Sequence, residues 1–136
     1  MKILISKDKT IAQLQDEFSQ AYPFLKLVFF TKPHKAYKGS PAKFLVSDRD
    51  VTLGSLEKKP HSGELYIEPE MPTWQVERLF EEEFGLHVQV FRKSGNTWLE
   101  TSVTDDLTLE DQNAKGKASE PRHFEFVDPL DYREQE

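Results

Sequence analysis

Lysines and an aromatic ring on an acid-free stretch are the residues of this chain best suited to meet an anionic partner. From Thr31 to Lys43 the sequence holds four lysines (Lys32, Lys35, Lys38 and Lys43) with His34 and Tyr37, and no carboxylate. Lysines on a loop can neutralise phosphates, and a tyrosine beside them can stack on a base. Further along, Arg92 and Lys93 precede a Ser94-Gly95-Asn96 turn, with Trp98 across the expected hairpin. Arginine beside an outward-facing aromatic has the composition of a protein-binding hot spot. The alternative role for Trp98 is to cover the open face of a sheet. The candidate interaction surface is therefore Lys32, Lys35, Tyr37, Lys38, Arg92, Lys93 and Trp98.

Catalytic chemistry has less to stand on. His34, His61, His87 and His123 lie far apart, and none has a partner at metal-ligand spacing. The carboxylates cluster as Glu81-Glu82-Glu83, Asp105-Asp106 and Glu110-Asp111. Glu81 and Glu82 fall on the polar side of a helical pattern, where both would be solvated. The other two clusters fall near a helix start, where the dipole favours negative charge. The six glycines stand singly, so neither a dinucleotide fingerprint nor a phosphate loop can be written. Without cysteine there is no thiol nucleophile, disulfide or thiolate metal site. The expectation is a non-enzymatic domain without cofactor or metal. A small hydrolase assembled from folded-together histidines and carboxylates is the weakest reading.

The elements that would position these residues follow from periodicity. Lys2 to Ile5 reads as a strand, and Thr10 with Gln13 matches a capping box. Ile11, Leu14, Phe18 and Tyr22 then recur at helical spacing up to Pro23, and Phe24 to Phe30 reads as a second strand. The order repeats about 62 residues later: a strand over 64–67, Thr73 as helix cap, a stripe of Val76, Leu79, Phe80 and Phe84, Gly85 at the helix end, and a strand from Leu86. Strand–helix–strand twice over predicts an α+β fold. The layout expected is a ferredoxin-like βαββαβ sandwich, with two helices on one face of a four-stranded sheet. Extra parts follow: a hairpin running to Val103, a short helix capped by Thr108 and ending near Gly116, and a late strand around Phe124 and Phe126. A long basic loop spans 31–63, in which Phe44-Leu45-Val46 adds a short strand. The expected domain covers 1–130, with a polar tail over 131–136.

Composition bounds the rest. At 136 residues the chain can bury a core without metal or disulfide. Its net charge of −6 divides unevenly. Residues 1–68 carry 11 basic against 8 acidic side chains, and residues 69–136 carry 7 against 16. Overall acidity opposes nucleic-acid binding, while the basic segment favours it. Only three apolar residues follow Lys2, far short of a secretory or membrane-spanning run. A cytoplasmic protein with no membrane partner is expected.

The run Phe91 to Thr101, followed by Thr104 to Asn113, resembles a segment of small uncharacterised bacterial proteins, as does Thr10 through Pro33. The resemblance implies a stand-alone bacterial domain and carries over no activity and no functional residue. The leading expectation is thus a protein-interaction domain. RNA or single-stranded nucleic-acid binding through the 31–43 segment is the alternative.

Overall fold

Thr10 opens the first helix through the capping box that its spacing predicts. Its Oγ1 accepts from the Gln13 amide at 3.2 Å, and Gln13 Oε1 accepts from the Thr10 amide at 2.9 Å. The computed structural model describes residues 1–32, 42–56 and 62–120. In chain order these form β1 (Lys2–Ile5), α1 (Ile11–Ala21), β2 (Leu25–Phe30), α2 (Leu53–Leu56), β3 (Gly63–Tyr66), α3 (Thr73–Phe84), β4 (His87–Ser94), β5 (Thr97–Glu100) and α4 (Leu109–Ser119). The late strand around Phe124, the 131–136 tail and residues 33–41 and 57–61 of the basic loop lie outside the described residues.

The fold is mixed α+β with two antiparallel sheets. β1 pairs with β3, and β4 lies between β2 and β5. The single four-stranded sheet of the ferredoxin-like expectation is therefore replaced by two ladders. The reason lies in β4, whose two edges are both taken. Residues 87–92 pair with the whole of β2, and residues 91–94 pair with β5. At Val90 the edge beyond β5 is closed by other groups. The Val90 amide donates to Glu77 Oε2 at 2.9 Å, and its carbonyl accepts from the Thr101 amide and hydroxyl. β1 pairs with β3 instead.

Counterparts in the two strand–helix–strand units face one another. Ile3 lies opposite Leu65 in one ladder, and Leu27 opposite Val90 in the other. Both ladders thus join like with like across an internal two-fold relation. Val90 lies six positions beyond Phe84, whereas Leu27 lies five beyond Tyr22, and in the longer stretch Gly85 adopts φ 67° and ends the helix as expected. The common core gathers the stripes of both helices, Leu14 and Phe18 with Val76, Phe80 and Phe84, against Ile3, Leu25, Leu27, Phe29, Leu65, Val88 and Val90.

Several boundaries differ from expectation, each for a local reason. Pro72, not Thr73, caps α3, because the buried Thr73 hydroxyl instead donates to the Leu107 carbonyl at 2.8 Å. β5 stops at Glu100 because Thr101 turns its amide and hydroxyl onto Val90. Helix α4 runs through Gly116 to Ser119. A Cβ at Gly116 would lie 2.8 Å from the Phe24 Cβ, so this glycine serves close helix packing, not helix termination. Phe44-Leu45-Val46 makes a single bridge to Phe30, preceded by a 3-10 turn over Ala42–Phe44. Among the described residues no helix is long and apolar enough to cross a membrane.

Candidate binding groove

Alternation along β2 decides which side chains can meet a ligand. Leu25, Leu27 and Phe29 enter the core, so Lys26, Val28 and Phe30 stand on the opposite face. Register then places Phe91 beside Lys26, and Glu100 beside Phe91 on the far strand. Trp98 lies opposite Lys93. A groove of about 640 Å³ opens over this face. Lys26, Val28, Phe30, Phe91, Trp98 and Glu100 line its sheet side. Its walls are the flank of α1, with Gln15, Asp16 and Ser19, and the segment carrying Leu45, Val46 and Arg49.

The walls are held by the outward-facing carbonyls of β2. Ser19 Oγ donates to Leu25 O at 3.0 Å, Gln15 Nε2 to Leu27 O at 2.8 Å, and the Val46 amide to Phe29 O at 2.9 Å. Arg49 braces the two walls together: its Nε donates to Gln15 Oε1 at 2.8 Å and its Nη2 to Asp16 Oδ1 at 3.0 Å.

At one end of the groove two ammonium groups share an indole. Lys26 Nζ lies 4.8 Å from the Trp98 ring centroid and Lys93 Nζ 5.3 Å from it. Such contacts are favourable individually. Together they concentrate positive charge. Burial holds the Lys26 pKa below its ordinary value, and the charges of Arg49 and Lys93 lower it further.

The sequence candidates divide. Lys93 and Trp98 come together at the groove. Arg92, one residue along, points to the opposite face, where its Nη1 donates to Gln112 Oε1 at 2.8 Å beneath α4. Lys32 is exposed and sits with Lys43 over the Phe44 ring, at 5.1 and 5.2 Å. Lys35, Tyr37 and Lys38 lie outside the described residues. Lys26, Arg49 and Phe91 were not singled out by sequence reasoning. Lys26 does carry a signal, as the one charge in an otherwise apolar strand. Arg49 and Phe91 have none, since tertiary packing brings them in.

Catalytic groupings are sparse among the described residues. His87 Nδ1 lies 3.1 Å from Glu81 Oε1, a carboxylate 48% exposed at the end of α3. No group of three His, Cys, Asp or Glu side chains could hold a metal ion among the described residues. His34, His61 and His123 lie outside them. Glu77 is only 6% exposed but accepts from the Val90 amide and from Gln89 Nε2, a structural use of its charge. Asp105, expected near a helix start, is 1% exposed, and its carbonyl accepts from the Trp74 amide where α3 begins. No family model, no curated protein and no solved structure matches this chain.

Proposed function

We propose that this chain is a non-catalytic interaction domain of a bacterial cytoplasm, and that it holds a segment of a partner protein in the groove beside α1. The observation that carries this reading is the pair of lysines gathered on Trp98 at the end of an apolar floor. Aromatic and cationic groups around a concave apolar surface are the usual anchors of protein interfaces. A cysteine-free composition fits a reducing compartment, and the sequence resemblance supports a bacterial source.

The test compares tagged wild-type chain with Lys26→Glu and Trp98→Ala, each incubated with host lysate with and without nuclease treatment. The expected result is a near-stoichiometric protein recovered by wild type and lost by both variants. Recovery that survives both substitutions would remove the groove from the reading. Recovery abolished by nuclease would replace it with RNA or single-stranded nucleic-acid binding.

A further inference from the structure

The groove is asymmetric in a way that describes its occupant. One end is cationic, because Lys26 and Lys93 converge on Trp98 and neither has an ion pair among the described residues. Arg49 adds to the field there, although its guanidinium is engaged by Asp16 at 3.0 Å. The remaining groove carboxylate, Glu100, lies in the row of Lys26 with Phe91 between them. Two strand spacings separate their backbones, about 10 Å. The other end is apolar, with Leu45 at 45% exposed and half-buried Val46 bordering Phe30, which is buried at 5% exposed.

Length narrows the choice further. Lys26 to Phe30 is four steps along the strand, about 13 Å. An extended chain spans the same distance with side chains i, i+2 and i+4 on one side, which matches a cationic end and an apolar end that far apart. Ladder bonds to β2 are not on offer, because its outward carbonyls at Leu25, Leu27 and Phe29 are already occupied. Side chains must therefore supply the recognition.

We infer that the groove takes an extended protein segment with a carboxylate side chain at one position and apolar side chains two and four residues away. The carboxylate sits between the Lys26 and Lys93 ammonium groups beside Trp98, and the apolar pair lies toward Val46 and Leu45. This rests on the reading of the groove as a protein-binding site.

The experiment titrates ¹⁵N-labelled full chain with two synthetic peptides, N-acetyl-Glu-Ser-Leu-Ser-Leu-amide and its Gln-for-Glu analogue, and with a ten-nucleotide oligothymidine. The Glu peptide is expected to shift amides within 26–30, 45–49 and 91–100, with a Kd about fivefold lower than the Gln peptide, the effect of one solvent-accessible charge contact. Lys26→Met and Lys93→Met, each with a spectrum showing the fold intact, should abolish that preference. Equal binding of the two peptides in the groove would overturn the carboxylate seat while leaving the protein-binding reading standing. No groove shifts from either peptide at millimolar concentration would overturn both. Oligothymidine shifting these amides where the peptides do not would assign the cations to phosphate.

Discussion

Gln15 and Glu77 occupy the same place in the two strand–helix–strand units, on α1 and α3, yet they close their strands in opposite senses. Gln15 donates to the Leu27 carbonyl, whereas Glu77 accepts from the Val90 amide. Leu27 and Val90 face each other in the central ladder, each turning its backbone groups outward from the pair. At Val90 the edge is closed by Glu77 and Thr101, with β5 pairing from Phe91 onward, and Glu77 is buried. Beyond Leu27 there is only the flank of α1 and the segment around Val46, and the sheet face there stays open as the groove. Two units with one pattern thus differ in what finishes them. The repeated apolar stripes build the common core, and the finishing residues specify which side is left open.

The comparison breaks first in the core. Phe18 and Phe80 are counterparts and both are fully buried. Replacing either with alanine should cost about 3–5 kcal/mol in denaturant unfolding. Nearly equal losses would support equivalent units, and a large disparity would break the equivalence. The finishing residues should separate more clearly. Glu77→Ala leaves the Val90 amide without its acceptor and should cost about 2–3 kcal/mol. Gln15→Ala, at a partly buried carbonyl that water can reach, should cost about 1 kcal/mol or less. A reversed order would mean that the two closures are misjudged.

Gly116 tests the packing that has no counterpart in the first unit. Gly116→Ala would press a methyl group against the Phe24 backbone and the Arg92 side chain. It should lower stability by about 1–2 kcal/mol despite alanine's better helix propensity. Unchanged stability would show that α4 can shift without consequence.

The smallest effect is electrostatic. Because the Lys26 pKa is lowered in the folded chain by burial, Arg49 and Lys93, the unfolded chain binds more protons between that value and the ordinary 10.5. Stability contributed at this position therefore rises with pH across that window. Lys26→Met should be slightly more stable than wild type at pH 7, with the advantage fading as pH passes 10.5. An advantage that persists beyond that pH would trace to packing instead of charge.

Element order was legible because caps and stripes are local. Thr10 with Gln13, Thr108 with Asp111 and Gly85 all do what their spacing implies. Pairing was not legible, since it depends on both edges of β4 at once, and Glu77 and Thr101 close one of them from distant parts of the chain. The site was half visible. Lys93 and Trp98 could be read as a pair, but grouping them with Arg92 overlooked the period of a strand, which sends neighbours to opposite faces. Gly116 looked like a stop because a close approach to Phe24 leaves no trace in the local pattern.

The pairing of counterparts has a consequence for how the chain finds its structure. β1 meets a partner about 62 residues later, and β2 meets one at a similar distance, while only β4 and β5 are joined by a tight turn. Loop closure over such separations comes before any contact rewards it. The β4–β5 hairpin can form at once, but it appears in the second half of the chain. During synthesis from the N-terminus, β1, α1 and β2 therefore emerge with their strand partners still unmade. Completion of the fold waits on β4, so the last-made strand of the repeat governs when the first-made strands become protected.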